Sequence, residues 1–514
     1  MLPRNGRNAV SPAALLVTAY GDRIMDKITP HGMTKARGCA HSRLGNFCQL
    51  LPKLPSWAKD CKIEHQCEAE QIAALLGGAG GIMHDADNSS GDSGIPAAYT
   101  FFAQFIDHDI TLDTSTKLHG DELDDKTISG LPNLRSASLD LDCVYGLGPE
   151  AMPFMYDQRQ PGRMLVGSEH NANDVPRNRD GRALIGDPRN DENIFVSQLQ
   201  LLFLKLHNRR IVGRGFEEGQ EDCRFHYQWL VLYDFLRRVC DESVYQFALD
   251  GLAAHKYPLC DLTDPCGRIC MPVEFSVAAY RFGHTMVRSQ YPVNADYPVV
   301  ELFDERFGTL GFSGVPAELT VDWRFLLDVE PCHDYVKSKA IDHLLADELI
   351  HLPGPVVGNN APAPDRSLAF RNLLRGYVLG LPSGQRMAAA LVKKGYPKVS
   401  AYADKDLPFD KVRGWECLPA DLRKKLEKHT PLFLYILLEA TANKGQRLGF
   451  VGSAILLEVF GTMLSRCHTF LSEPGWQPDP CIWNPQGLAD VDPTNADPDK
   501  KGFTLADLAR YVGA

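Results

Sequence analysis

Several features that mark other classes of protein are missing from this sequence. The apolar run Leu432–Leu438 is much shorter than the ~20 residues that a membrane-spanning helix needs, so we expect no transmembrane segment. Positive charge is not in excess: 54 Lys and Arg face 65 Asp and Glu, and the formal charge of -11 argues against nucleic acid as a partner. No Gly/Ser-rich linker, charge block or internal repeat divides the 514 residues, so we expect one large domain.

The cysteines lack the paired CxxC spacing of structural zinc sites. Fourteen are scattered between Cys39 and Cys481, and Cys266 and Cys270 lie close together with Pro and Gly around them. We expect most of the cysteines to be ordinary buried thiols.

A secretory signal is only faintly indicated. Arg4 and Arg7 precede the short apolar run Ala13–Ala19, but Pro12 interrupts its start and no small-x-small cleavage site follows cleanly. We therefore expect a cytoplasmic protein and leave secretion open.

The dominant hydrophobic period is helical, and alternating strand patterns are rare and short. The sequence predicts a mainly α fold in a single large domain, with few short strands and long loops rich in Pro and Gly. Residues 1–94 are expected to form an irregular segment packed on the domain that residues 95–514 form. The predicted helices are Ile194–Val212, Phe275–Val287, Ile341–His351, Leu368–Leu379, Leu432–Ala442 and Leu448–Phe470.

Four segments carry polar groups that a plain helical core would not contain, since a buried unpaired charge is costly. The first sets His108 between two carboxylates on an otherwise apolar helix. In the others, polar residues three apart share a helical face, and Gly283 leaves open space beside His284, as a flat ligand requires. The segments are Gln104–Asp109, Gly186–Asn193, Ala279–His284 and the pair Asn372 and Arg375.

In this order, the segments resemble the signature of the animal haem peroxidases of the peroxidase–cyclooxygenase superfamily, with bacterial members as the nearest type. The resemblance covers roughly residues 95–470 and implies a haem-peroxidase domain. The matching residues are Gln-Phe-Ile-Asp-His-Asp at 104–109, Gly-Asp-Pro-Arg-x-x-Glu at 186–192, His207-Asn208-Arg209, Tyr-Arg-Phe-Gly-His at 280–284 and Leu381-Pro382-Ser383.

The resemblance implies haem b as a cofactor and His284 as its proximal iron ligand. Asn372 would hydrogen-bond the other ring nitrogen of His284 and so fix its tautomer. Arg281 and Arg375 would pair with the haem propionates, because a guanidinium binds carboxylates in a planar fork.

On the distal side, the resemblance makes His108 the acid and base that moves the peroxide proton. Arg189 would stabilise the charge that develops as the O–O bond breaks, and Gln104 would hold the distal water or halide.

Asp107 and Glu192 occupy positions whose carboxylates form esters to haem methyl groups in mammalian members, so the resemblance makes a covalent haem a hypothesis here. Family members with a third covalent bond to haem, a sulfonium bond, have Met directly after this Glu. That position is Asn193 in this chain, and no such link is expected.

The resemblance also implies calcium. Asp109 would point away from the haem towards a loop that carries Ser136, Ser138, Asp140 and Asp142. Carboxylates, hydroxyls and carbonyls suit a hard cation that takes six to eight oxygens. The usual last ligand of the family is a hydroxyl, and Asp142 replaces it.

Plainer interpretations remain open for several of these residues. Arg189 could form a surface salt bridge with Asp187 or Asp191. Asn372 could be an amide bonded to helix backbone, and residues 136–142 could be a capping loop. The two ester candidates could simply hydrogen-bond the haem edge. His207-Asn208-Arg209 is interpreted as a structural helix end.

The resemblance implies a peroxidase that uses hydrogen peroxide to reach an oxyferryl state and oxidises phenols, aromatic amines, halides or thiocyanate. The first alternative is a fatty-acid dioxygenase of the same superfamily, which needs a tyrosine three positions before the proximal histidine. Arg281 stands there and Tyr280 is one position further, a rotation of about 100° on an α-helix. The second alternative is a non-catalytic haem and calcium module for binding or adhesion. The reducing substrate and the oligomeric state are not predicted.

Overall fold

The computed structural model describes residues 45–264, 267–304, 309–330, 333–397, 407–487, 491–494 and 502–513. The signal-like run 13–19, Cys39 and Cys266 lie outside these ranges. The α-helices are α1 Trp57–Asp60, α2 Gln66–Gly77, α3 Ala98–Ile110, α4 Asp125–Gly130, α5 Asp142–Tyr145, α6 Ile194–Arg210, α7 Phe216–Trp229, α8 Arg237–Val239, α9 Glu242–Ala253, α10 Asp347–Ile350, α11 Gly354–Val357, α12 Leu368–Val378, α13 Gly384–Lys394, α14 Ala420–Lys428, α15 Leu432–Ala442, α16 Phe450–Arg466, α17 Pro480–Trp483 and α18 Leu505–Val512.

Shorter helical turns connect these elements. The π-turns are Leu230–Leu236 and Glu274–Ala278. The 3₁₀ turns are Pro153–Met155, Pro188–Asp191, Ala279–Met286, Ala317–Leu319, Trp323–Phe325, Pro364–Arg366, Phe409–Lys411, Trp415–Cys417 and Phe470–Ser472.

The strands are short and pair only in twos within the described ranges. They are β1 Phe47–Cys48, β2 His84–Asp85, β3 Asp92–Pro96, β4 Met271–Pro272, β5 Gln290–Tyr291, β6 Val300–Glu301, β7 Lys337–Lys339 and β8 Leu345–Ala346. β1 pairs with β4 and β2 with β8 in parallel, and β3 pairs with β7 and β5 with β6 antiparallel. The predicted fold class, mainly α in one domain with few short strands, is confirmed.

Helix α3 is buried along nearly its whole length and packs on α6. Phe101 stacks on Phe195 with 4.6 Å between ring centroids, and Phe105 stacks on Phe203 at 4.8 Å. Each buried aromatic ring contributes about 1.5–3 kcal/mol of transfer free energy. This packing fixes α3, and with it His108 at its last turn, against the core.

The segment predicted as the helix Phe275–Val287 is helical but not α. Glu274–Ala278 forms a π-turn and Ala279–Met286 continues as a 3₁₀ turn, with the break at Ala278. The Arg281 Nε donates to the backbone oxygen of Ser276 at 2.6 Å, which stabilises this irregular backbone. Irregular turns of this kind occur frequently at functional sites.

The other helix predictions differ in outcome. Leu432–Ala442 is confirmed, and α6 and α12 match their predictions to within the fraying of helix ends. The predicted helix Leu448–Phe470 ends early, because Cys467 is extended. The prediction for Ile341–His351 is wrong: Leu345 pairs with His84 in β2, and only α10 is helical. The segment before residue 95 also contains α2, which the sequence did not predict.

Two cysteines depart from the prediction of free thiols. Cys48 and Cys270 form a disulfide between β1 and the residue before β4, with Cα atoms 5.8 Å apart. Of the described free cysteines, Cys61, Cys143, Cys223, Cys240, Cys260 and Cys467 are buried, and Cys67, Cys417 and Cys481 are exposed. None of the helices in the described ranges is long and apolar enough to cross a membrane.

Candidate active site

A cavity of about 410 Å³ lies between α3, the turn Pro188–Asp191, the segment Ala279–Met286 and α12. Its volume lies within the range of small-molecule and cofactor sites. Nine residues that the sequence singled out line it together: Gln104, Asp107, His108, Arg189, Glu192, Arg281, His284, Asn372 and Arg375.

His284 faces this cavity and is held from α12. Its Nδ1 lies 3.0 Å from the Asn372 Nδ2, so the predicted contact between these two side chains is present. With the amide in the opposite orientation, Asn372 Oδ1 would accept from Nδ1–H and leave a lone pair on Nε2, the form that binds metals. No described residue hydrogen-bonds Nε2. Burial, and then the charge of Arg281, lowers the pKa of His284 to about 3.

Gly283 leaves room next to His284, as predicted. A Cβ placed on Gly283 would meet only the Ala103 Cβ of α3, at 3.9 Å. Two small residues therefore face each other where α3 comes close to the segment that carries His284.

His108 lies at the end of α3 and is buried, with 4% of its surface exposed. Its Nδ1 is 2.7 Å from the Asn190 Oδ1, and its Nε2 is 3.8 Å from the Glu192 Oε1. Burial, and then the nearby Arg189, lowers the pKa of His108 to about 4. The imidazole is therefore neutral at pH 7 and able to accept a proton.

Arg189 is paired with Asp187, whose side chain is buried, while 25% of the Arg189 side chain is exposed. Asp187 is 0% exposed and accepts from the Arg189 Nε at 3.1 Å and Nη2 at 2.8 Å. Nη2 also donates to the backbone oxygens of His108 at 3.0 Å and Thr111 at 2.7 Å. The guanidinium is thus fixed to the last turn of α3 while it lines the cavity.

Gln104 and Glu192 are hydrogen-bonded to each other on the cavity wall. Asn193 Nδ2 donates to the Gln104 Oε1 at 3.1 Å, so Gln104 presents its N–H groups to Glu192. Burial raises the pKa of Glu192 to about 7, because a buried carboxylate loses hydration. At pH 7 the Glu192 carboxyl group is therefore divided between its protonated and ionised forms.

The two arginines expected at haem propionates are paired with protein carboxylates in this structure. The Arg281 Nη1 lies 3.0 Å from the Asp107 Oδ2, and the Arg375 Nη2 lies 2.6 Å from the Asp113 Oδ2. For Asp107, burial opposes ionisation, but the charges of Arg281 and Arg189 outweigh it and lower the pKa. Neither ion pair was predicted from the sequence.

Tyr280 also lines the cavity that His284 faces. Ala279–Met286 is a 3₁₀ turn, so the rotation of about 100° per residue that holds for an α-helix does not describe this segment. The Tyr280 ring stacks on Phe275 with 4.7 Å between centroids, and its buried hydroxyl has no hydrogen-bond partner among the described residues.

The loop expected to bind calcium gathers its oxygens near Asp109. The Ser136 Oγ lies 3.0 Å from both Asp140 carboxylate oxygens and 3.1 Å from the Asp142 Oδ2. Ser138 is buried in the same loop. Burial, and then the charge of Asp142, raises the pKa of Asp109 to about 7. A cation would relieve this repulsion, so the donor set fits calcium.

Several polar residues at this site had no role predicted from the sequence. Asp187 was considered only as a salt-bridge partner of Arg189 at the surface, and no role was predicted for the amide side chains. One signal was available: Gln200 lies between Leu199 and the apolar run Leu201–Leu204 of α6 and is fully buried. The residues given no role are Asp187, Asn190, Asn193, Gln200 and Arg371.

His207 has a structural environment, as expected. It lies between the Tyr145 hydroxyl at 3.1 Å and the Gly162 oxygen at 2.9 Å.

The cluster of His84, Asp347 and His351 could hold a metal ion by geometry. However, the Gly80 N–H donates to the His84 Nδ1 at 3.0 Å, which leaves the proton on the nitrogen that faces Asp347.

Comparison with solved structures finds the same overall, mainly helical fold in a peroxidase and in two fatty acid alpha-dioxygenases. Peroxidase A from Dictyostelium discoideum matches with a TM-score of 0.51 and 14% identity over 91% of this chain and 92% of its own. The fatty acid alpha-dioxygenase of Oryza sativa matches with 0.52 and 15% identity over 83% and 77%. The fatty acid alpha-dioxygenase of Arabidopsis thaliana matches with 0.52 and 13% over 84% and 75%. No family model and no curated protein sequence matches the chain.

Proposed function

We propose that this chain binds haem b at His284 and acts as a peroxidase on hydrogen peroxide. One observation carries the proposal: a single cavity contains His284, held by Asn372, together with His108 and Arg189. An imidazole with a free Nε2 suits an iron ligand, and a neutral imidazole beside a fixed guanidinium suits a peroxide site.

The residues on the cavity wall fit the cofactor. His284 would ligate the iron, and Arg281 and Arg375 would hold propionates by sharing or exchanging their present carboxylate partners. Arg371, a further cation on the wall, lies beside them. Haem bound there would supply the oxidation–reduction chemistry that protein side chains cannot.

The proton steps belong to His108. Its neutral Nε2 accepts a proton from hydrogen peroxide and returns it to the departing oxygen. Arg189 stabilises the negative charge that develops on that oxygen, because Asp187 and the backbone of α3 hold its guanidinium in place beforehand. The Gln104 amide orients the peroxide or a small anion. A small phenol, aromatic amine, halide or thiocyanate would supply the electrons.

Asp107 and Glu192 support a covalent haem as part of the proposal, since both carboxyl groups reach the cavity. Extraction into acidified organic solvent after peroxide turnover tests it. Haem that stays with the protein supports the esters, and full recovery of free haem rejects them. Calcium at Asp109, Ser136, Ser138, Asp140 and Asp142 would fix the helix that carries His108.

A fatty-acid dioxygenase is the second candidate. Tyr280 on the cavity wall favours it, as do the matches to two alpha-dioxygenases. Peroxide-dependent guaiacol oxidation by the haem-loaded protein supports the peroxidase. It should fall about 10²–10⁴-fold in His108→Ala, as expected when a general base is lost. Oxygen uptake with linoleate, without peroxide and abolished in Tyr280→Phe, would support the dioxygenase instead.

The location in the cell is part of the same proposal. Disulfides persist mainly in oxidising compartments, so the Cys48–Cys270 bond favours secretion over the cytoplasmic location that the sequence predicted. Titration of free thiols after expression in an oxidising and in a reducing environment tests the disulfide on which this inference rests.

A further inference from the structure

A buried line of side-chain amides connects His108 to a backbone carbonyl. The His108 Nδ1 lies 2.7 Å from the Asn190 Oδ1, and the Asn190 Nδ2 lies 2.8 Å from the Gln200 Oε1. The Gln200 Nε2 lies 3.3 Å from the backbone oxygen of Cys143. Asn190 and Gln200 are both 0% exposed, so water does not compete for these hydrogen bonds.

The carbonyl at the end of this line determines the direction of every hydrogen bond. A carbonyl oxygen only accepts, so Gln200 must turn its N–H group towards Cys143 and its Oε1 towards Asn190. Asn190 then donates with Nδ2 and has only Oδ1 left for His108. If either amide were reversed, two acceptors would face each other in a buried site, which is strongly disfavoured.

We propose that Asn190 and Gln200 are positioning residues that hold His108 in the tautomer with its proton on Nδ1. The Nε2 then carries a lone pair and points to the cavity, where it is 3.8 Å from the Glu192 Oε1. This is the tautomer that can take a proton from a substrate. The effect on catalysis rests on the proposed function, whereas the tautomer itself is a property of the protein without haem.

The line also reaches the loop proposed for calcium. The Cys143 N–H donates to the Asp109 Oδ1 at 3.3 Å, so the residue whose oxygen ends the line is held by Asp109. Displacement of that loop would weaken the last hydrogen bond of the line. The loop is therefore connected to His108 in two ways: by this line of hydrogen bonds, and by Asp109, which is next to His108 on α3.

The first test measures the tautomer in the haem-free protein at neutral pH. Histidine side chains labelled with ¹⁵N are observed by NMR, and the His108 signals are assigned by their absence in His108→Gln. We expect a protonated Nδ1 and an unprotonated Nε2. Asn190→Leu and Gln200→Leu should each shift His108 towards the other tautomer, because the first removes the acceptor of Nδ1–H and the second removes the group that holds that acceptor in place.

Gln198→Leu is the matched control. Gln198 lies on the same helix, is 2% exposed and donates to the backbone oxygen of Asn173 at 2.8 Å, away from His108. It should leave the His108 signals unchanged. Circular dichroism checks folding, and two separate positions in the line guard against one variant that fails to fold. A proton on Nε2 in the unmodified protein, or an unchanged tautomer in both folded Leu variants, would overturn the proposal.

The second test measures the peroxide reaction of the haem-loaded protein. The rate should fall at least about tenfold in Asn190→Leu and in Gln200→Leu, and by no more than the 10²–10⁴-fold loss expected when a general base is removed. If the expected tautomer is found but the unmodified protein does not react with peroxide, the proposed function fails and the tautomer assignment stands. If the protein reacts but the variants leave both rate and tautomer unchanged, the positioning role fails.

Discussion

Asp187 is the residue whose loss should destabilise the site most. It is fully buried, accepts from the Arg189 backbone N–H at 2.9 Å as a helix cap, and pairs with the Arg189 side chain and with the Arg135 Nη2 at 2.6 Å. Removing one partner of a buried ion pair costs about 3–5 kcal/mol, and losing an Asp cap costs about 1 kcal/mol. We therefore expect Asp187→Ala to lower the free energy of unfolding by about 4–6 kcal/mol.

The chain contains a matched control for this prediction. Asp322 caps a 3₁₀ turn and binds Arg324 in the same local pattern, with the Arg324 N–H at 3.1 Å and its Nη2 at 2.6 Å. That pair is more exposed: 21% of the Asp322 side chain and 44% of the Arg324 side chain are accessible, against 1% for Asp187 and 25% for Arg189. Asp322→Ala should cost only a small fraction of the Asp187 effect, since exposed ion pairs contribute little.

Urea unfolding, followed by tryptophan fluorescence, measures both variants. Asp187→Asn provides a milder form of the change, because it keeps the cap and removes only the charge. Burial opposes ionisation, but the bonds to Arg189 hold the pKa of Asp187 at about 2, so its contribution should be present above about pH 4 and lost as the pH falls towards 2. Equal costs for Asp187→Ala and Asp322→Ala would refute the reasoning.

Three further predictions concern other parts of the molecule. Burial raises the pKa of Glu439 to about 8 from an ordinary 4.5, so the folded state binds a proton that the unfolded state releases between these values. In the unmodified protein, the free energy of unfolding should therefore fall by up to about 1.4 kcal/mol per pH unit as the pH rises from 5 to 8. Urea titrations should show that Glu439→Gln removes this fall. Parallel pH profiles for the two proteins would contradict the prediction. Chelation of calcium with EGTA should lower the melting temperature reversibly, because Asp109 and Asp142 repel each other without the cation. Asp142→Asn is the control, and its melting temperature should not respond to EGTA. Asn372→Leu should weaken haem binding about 10- to 100-fold in titrations, since it removes the partner of the His284 Nδ1, and an unchanged affinity would count against that role.

Local spacing was enough to place side chains within one segment, as for His108 and Asp107 on one helix. That the nine chosen side chains line one cavity was predicted from the resemblance of the four segments taken together, because no local pattern brings distant segments side by side. The mainly α class followed from local periodicity, as for α15.

The features that the sequence did not predict depend on partners far away along the chain. Residues 345–346 form a strand because residues 84–85 lie beside them, and local periodicity contains no information about that pairing. The Cys48–Cys270 disulfide joins residues 222 positions apart. The direction of the amide line to His108 depends on the carbonyl of Cys143, which no motif identifies.

Tyr280 illustrates how backbone geometry changes a conclusion about function. Periodicity predicted an α-helix over Phe275–Val287, but the segment is a π-turn followed by a 3₁₀ turn. Tyr280 and His284 both line the cavity on this irregular backbone, so the tyrosine has to be considered together with the histidine in any test of the reaction.

The account depends above all on haem bound through His284. The haem-free protein is titrated with hemin and followed by its absorption spectrum, alongside His284→Ala and, as a control histidine away from the cavity, His468→Ala. We expect the unmodified protein to bind one haem per chain, with an intense Soret band that changes on addition of peroxide. Haem binding should be weaker in His284→Ala and unchanged in His468→Ala. Failure of the unmodified protein to bind hemin, or equal affinity and equal spectra for the unmodified protein and His284→Ala, would contradict it.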